Sequence, residues 1–236
     1  MKKTFLTIIL LIIVTSVVSA QKLSRYELDV KDFTELKVIE GINVNYVCNP
    51  DSTGRAVFIA TDELASVLMF NNTKGRLEMQ IATDGIDYKN LPTVTVYSKF
   101  LTKVENSGDS TVRVLNVASC PNFKARLIGN GRLIVKGIDV TYLDGSIDTG
   151  NGQLILYGKC ESAKLSCTGT GTIQADELVS NDTKCVMLGT GTIGCQALTS
   201  LNVAGASSGK VYYKGNPEQI KKRSVGVKII PLDNEK

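Results

Sequence analysis

The sequence predicts an all-β fold, a right-handed parallel β-helix (β-solenoid) with coils of roughly 20 residues. Three observations predict it. Glycine-rich corners recur in near-copies from Glu105 onward: ENSGDSTVRVL, RLIGNGRLIVK, IDTGNGQLILY, SCTGTGTIQAD, MLGTGTIGCQ and VAGASSGKVYY. The second small residue of each corner is Ser110, Gly131, Gly152, Gly171, Gly191 and Gly209, at spacings of 21, 21, 19, 20 and 18. Each corner is followed by apolar–polar alternation, and no helical pattern of ten or so residues intervenes.

Taken in chain order, the first element is MKKTFLTIILLIIVTSVVSA, residues 1–20. A basic start, a short apolar run and the small-x-small end Val18-Ser19-Ala20 describe a secretory signal peptide. The run is short for a membrane anchor, which needs about 20 apolar residues. No cysteine directly follows Ala20, so a lipid-anchored form is not indicated. Residues 21–30 read as an N-terminal extension, and residues 31–217 as one β domain. No later stretch is apolar and long enough to span a bilayer, so the mature chain carries no stable membrane span.

The first part of the domain is β-like but irregular. LKVIEGINVNYVC (36–48) alternates Val38, Ile42, Val44, Tyr46 and Cys48 around Gly41. RAVFIA (55–60), RLEMQI (76–81) and TVTVY (93–97) are further strands, and DELASVLMF (62–70) begins with one helical turn capped by Asp62 or Thr61. These segments form widened first coils or a β cap continuous with the solenoid.

From Val104 the coils become regular. Two and four positions after each corner stand Val112/Val114, Leu133/Val135, Leu154/Leu156, Ile173/Ala175, Ile193/Cys195 and Val211/Tyr213. These face the core, and their neighbours, Thr172 among them, face out. A second apolar set follows, such as Leu178 or Leu198 with Leu201 and Val203. Residues 218–236 complete the chain as a terminal strand and tail.

A small exported β protein with Gly41-Ile42-Asn43, repeated S/T-G-x-G corners and a closing VYYKGNP (Val211–Pro217) resembles the auto-transporter adhesin, head GIN domain family. The resemblance covers roughly residues 31–215. SVGVKI (Ser224–Ile229) departs from the expected corner. The resemblance implies surface adhesion and brings no catalytic residues with it.

Composition narrows function further. The chain has no His and no Trp, which removes Ser-His-Asp and Cys-His catalysis and tryptophan sugar platforms. Net charge is +4, two of it in the leader, and the Lys221-Lys222-Arg223 run lacks aromatic interleaving, so nucleic acid is not an expected partner. No metal and no cofactor are expected: no C-x-x-C pair exists. The GTGTIG at Gly189–Gly194 fits a dinucleotide fingerprint by letter, but a strand pattern follows where a helix is required. Catalytic, cofactor-binding and metal-binding residues are therefore all read as none, and ligand-binding residues are left unassigned.

The six cysteines, Cys48, Cys120, Cys160, Cys167, Cys185 and Cys195, fall at apolar slots and read mainly as buried thiols. Cys160 aligns with Leu178 and Leu198, Cys120 with Leu143 and Leu201, Cys167 with Met187 and Cys185 with Leu165. Adjacent coils make Cys167–Cys185 the favoured bridge if one forms. Asp51-Ser52-Thr53 and Asp109-Ser110-Thr111 resemble a bacterial O-glycosylation acceptor, which would modify Ser52 and Ser110.

The expectation is an exported, non-catalytic, adhesin-like solenoid of a Gram-negative bacterium, in the periplasm, at the outer surface or outside the cell. Its partner is an extracellular or envelope glycan or protein. The alternatives are a polysaccharide-active enzyme using Asp139, Asp144 and Asp148, or a structural envelope protein with no specific ligand.

Overall fold

The computed structural model describes residues 22–82 and 90–232, and the leader read at 1–20 lies outside the described residues. The chain begins with β1 (Ser24–Asp29), β2 (Glu35–Ile39), β3 (Val44–Cys48) and β4 (Arg55–Ala60). A helical turn, α1 (Asp62–Ser66), then leads into β5 (Leu68–Thr73), β6 (Arg76–Ile81) and β7 (Val94–Ser98). Thr61 caps α1, its hydroxyl accepting from the Leu64 amide at 3.3 Å. β1 pairs antiparallel with β4, β4 with β7 and β5 with β6. The segment read as an extension is thus the outer strand of an antiparallel cap. The β5–β6 hairpin turns on Lys74 and Gly75, both at positive φ (54° and 78°), the backbone a two-residue primed turn requires.

Within this cap, β2 and β3 are already a coil. They lie parallel to β8 (Lys103–Ser107) and β9 (Thr111–Val114), so the cap and solenoid share one continuous sheet. Gly41-Ile42-Asn43 forms their junction. Ile42 is fully buried, and the Asn43 side chain accepts from the Thr111 amide of the following coil at 2.9 Å.

The solenoid continues through β10 (Cys120–Ile128), β11 (Arg132–Thr149), β12 (Gln153–Cys167), β13 (Thr172–Met187), β14 (Thr192–Gln196), β15 (Ser200–Ala206), β16 (Lys210–Lys214), β17 (Gln219–Val225) and β18 (Lys228–Pro231). Every pairing from β8 onward is parallel, giving about six turns. Arg132, Gln153, Thr172, Thr192, Lys210 and Lys228 stand in one register row. This is the alignment the corner spacing predicts. The paired inward rows, Val112–Leu133–Leu154–Ile173–Ile193–Val211 and Val114–Val135–Leu156–Ala175–Cys195, are at most 1% exposed. Each coil alone offers only a stripe of apolar side chains; stacking joins the stripes into one core.

The corners show why glycine recurs. A Cβ on Gly152, Gly171 or Gly191 would lie 2.6, 2.4 or 2.3 Å from the carbonyl oxygen of the preceding corner glycine. Those carbonyls accept the ladder bonds: the amides of Gln153, Thr172 and Thr192 donate to Gly131, Gly152 and Gly171 at 3.0 Å. Backbone replaces side chain at the corner so that coils close to strand spacing. At SVGVKI, Gly226 (φ 80°) keeps the turn and Val227 takes the corner slot, 1% exposed. The series therefore runs one coil beyond VYYKGNP.

The second apolar set departs from the linear alignment. Leu178, Leu201 and Val203 are buried, but Leu198 is 44% exposed. After Cys195 the chain shortens its path: Ala197 fills the inward slot, and the Leu198 and Thr199 amides bond the carbonyls of Ser180 and Asn181. Ser180 and Thr183 are buried against each other, and their hydroxyls meet the Gln196 carbonyl at 2.8 and 3.1 Å, satisfying the shortcut.

Candidate binding groove

Midway along β11, β12 and β13 the coils turn a corner at Val140–Leu143 and its equivalents. Inward residues stand on either side of two consecutive outward ones, Thr141-Tyr142, Glu161-Ser162 and Asn181-Asp182. That break in alternation bends the sheet. Along the bend runs an open groove of about 630 Å³, lined by Ser119–Pro121, Asp139–Thr141, Lys159–Glu161, Val179 and Asn181. It crosses four coils, about 14 Å at strand spacing.

Its floor is part of a register row, Cys120–Val140–Cys160, which continues beneath the surface to Ser180. Val140 and Cys160 are 6% and 8% exposed, so the floor is apolar and shallow. Asp139, Thr141, Lys159, Glu161 and Asn181 are exposed along the rim. Lys159 and Asp139 pair at 3.5 Å across two coils, an exposed contact that costs little to open. Burial pushes the Cys160 thiol up to about 12 and raises Cys120 as well. Both sulfurs are therefore protonated at neutral pH and serve as floor. Among the described residues no His, Cys, Asp or Glu group forms a metal-binding cluster.

Two of the cysteine alignments are corrected by this register. Cys160 is level with Val140 and Ser180, not Leu178, and Cys120 with Val140, not Leu143. Irregularities after Val135 and after Ile155 insert a residue in one coil and not its neighbour, which a linear alignment cannot follow. Cys167 with Met187 and Cys185 with Leu165 stand as expected. All six cysteines are free, and the Cys167–Cys185 bridge is absent. Cys185 instead meets Cys195, sulfur to sulfur at 3.8 Å.

The three aspartates are not brought together. Asp139 lies on the groove rim with Lys159. Asp144 sits between Lys124 (3.4 Å) and Lys164 (3.8 Å). Asp148 is held by Arg126, whose Nε donates at 2.6 Å. Asp144 and Asp148 are four residues apart on one extended strand, about 13 Å, whereas carboxylate pairs that cleave glycosides stand about 5–9.5 Å apart. The GTGTI copies are corners opening β13 and β14, with no helix behind them. Of the two Asp-Ser-Thr serines, Ser110 is 7% exposed with its hydroxyl oxygen buried, and Ser52 is half-buried on a short turn.

The groove residues went unassigned because each is an ordinary turn or strand residue. The signal was the paired outward positions, which mark the bend at the same place in three coils.

The molecule is thus a β-solenoid of near-20-residue coils with an antiparallel cap and a long lateral groove. The chain belongs to the family described as putative auto-transporter adhesin, head GIN domain, whose model matches residues 32–217. Three crystal structures share the fold. A putative adhesin from Bacteroides fragilis is 22% identical, with TM-score 0.81 over 90% of this chain and 98% of that one. A putative lipid binding protein from Parabacteroides distasonis is 17% identical, with TM-score 0.73 over 91% and 98%. A putative adhesin from Parabacteroides merdae is 21% identical, with TM-score 0.71 over 91% and 98%. No curated protein matches the chain. Membership suggests a surface or exported protein, and among the described residues no helix is long and apolar enough to cross a membrane.

Proposed function

We propose that this protein is an exported, non-catalytic binding solenoid of the cell envelope or surface, and that it holds an extended glycan along the groove. The supporting observation is the repetition of the groove: successive coils present an apolar floor residue flanked by hydrogen-bonding side chains at one strand spacing. A sugar chain has the matching surface, apolar ring faces with hydroxyls at the edges, and a repeat close to the strand spacing. Thr141, Glu161 and Asn181 are the rim residues for the hydroxyls, and Val140 with Cys160 is the surface for the ring faces. The family description, adhesin, fits the same reading.

A glycan-array screen of the purified protein tests it. The expected result is one class of extended glycan bound, with the signal falling at least about tenfold in Glu161→Ala/Asn181→Ala, roughly the loss of one or two hydrogen bonds to the ligand. Binding that survives this double substitution, or no binding across the array, defeats the proposal. Protease shaving of intact cells reports whether the protein is displayed at the surface.

A further inference from the structure

The ion pairs of this protein follow a pattern that stops at one end. Along much of the coil stack, basic and acidic side chains pair between neighbouring strands. Arg55 pairs with Glu27, Arg76 with Glu35, Lys37 with Glu78, and Arg126 with both Glu105 and Asp148. On one outward row across β10, β11 and β12, Asp144 lies between Lys124 and Lys164. That row then continues Lys184, Asn202, Lys221 with no carboxylate. Around the last coil, Lys210 and Lys228 are direct register neighbours, a like-charged pair that opposes stacking. The last pair is that of Lys214 on β16 with Asp176, at 2.8 Å; Lys210, Lys221, Lys222, Arg223 and Lys228 have no ion-pair partner among the described residues and are all exposed.

The same end exposes aliphatic surface. Val225 is 77% exposed and Ile220 47%. Ile220 stands in the register row of buried Leu201, and Lys222 in the row of buried Val203, so the core ends here under a charged residue. Unneutralised cations beside exposed aliphatics fit an anionic lipid surface, whose headgroups take the charges while short apolar side chains enter the interface. A second copy of this end would bring the same charges together.

We propose that the terminal coil, β17 with β18, docks on the anionic headgroups of a phospholipid surface and stands the solenoid on the membrane by its C-terminal end. The groove of the preceding subsection lies on coils two or more turns away and remains open in that arrangement.

Sedimentation with vesicles tests it. The purified protein binds vesicles containing phosphatidylglycerol, does not bind pure phosphatidylcholine, and is released at high salt. Lys221→Gln/Lys222→Gln/Arg223→Gln weakens binding about 100-fold, and Val225→Ser weakens it severalfold. Lys124→Gln/Lys164→Gln, in the neutralised part of the same row, leaves it unchanged. Circular dichroism melts confirm that each variant is folded. Failure of the parent to bind phosphatidylglycerol vesicles overturns the proposal, as does a triple variant that binds like the parent or a control that loses as much. If the charges serve only to keep copies apart, the triple variant self-associates while the parent ignores vesicles, and that too overturns it.

Discussion

Gly171, in the first GTGTI unit, and Gly194, directly after the second, carry opposite constraints. A Cβ on Gly171 would stand 2.4 Å from the Gly152 carbonyl oxygen, an atom fixed by its bond to the Thr172 amide. A Cβ on Gly194 would have its nearest neighbour, Asp176 Oδ1, at 3.7 Å. Gly171→Ala should therefore lower stability by about 2–4 kcal/mol, through backbone displacement at a packed corner. Gly194→Ala should stay within about 0.5 kcal/mol of the parent, the usual range away from such features. Urea denaturation measures both, and equal midpoints for the two variants contradict the corner assignment. The pair also separates this stack from a phosphate loop. Gly194 supplies the third glycine of the fingerprint by letter, and in the solenoid it is a strand residue with room beside it.

At the scale of the element, β8 shows how the first regular coil is joined to its neighbours. Glu105 is 6% exposed between β2 and β10. Burial alone would raise its carboxyl. The Ser107 hydroxyl, which donates at 3.0 Å, and the cations of Lys103 and Arg126 outweigh burial and leave it below its ordinary value. A carboxyl depressed in the folded state adds stability above the unfolded value of 4.5, and that stability is lost as pH falls through the lower folded value. Thermal melts should show the parent losing stability below about pH 4.5 more steeply than Glu105→Gln. Parallel pH profiles would refute the assignment. On the same strand, Asn106 occupies the core row of Val38 and Leu127, and its Nδ2 donates to the Ser110 and Arg132 carbonyls at 2.9 and 3.2 Å. It ties down the corner that has Ser110 where later corners have glycine.

For the whole molecule, the cysteines divide by depth. Cys48 and Cys120 are half-buried; Cys160, Cys167, Cys185 and Cys195 are in the core. Burial raises Cys160 and Cys167, and Cys185 is held protonated first by its contact with Cys195 and then by burial. Alkylation of the native protein should modify Cys48 and Cys120 only, and unfolding without reductant should release all six, read by intact mass. A mass two hydrogens lighter before treatment would reveal a bridge.

The period and the inward rows were legible in the sequence because every coil repeats the same corner and the same alternation, so one register is counted six times over. The groove and the antiparallel cap were not. The groove depends on where each coil bends, and irregularities after Val135 and Ile155 change the number of residues between corner and bend from coil to coil without altering composition. The cap depends on pairings such as Tyr26 with Phe58, whose rings stack at 5.2 Å, between strands that carry no repeat to align. The cysteine misalignments have the same origin as the groove.

The corner ladder has one more consequence. Each corner joins the corners before and after it through backbone amides and carbonyls, with no Cβ between them. The stack therefore has no internal count. Duplicating one unit in the middle, such as residues 153–171, presents the same two joining surfaces and lengthens the molecule by one strand spacing, about 4.8 Å. Reach is in this sense a copy number written into the chain, adjustable in whole steps while both ends stay as they are.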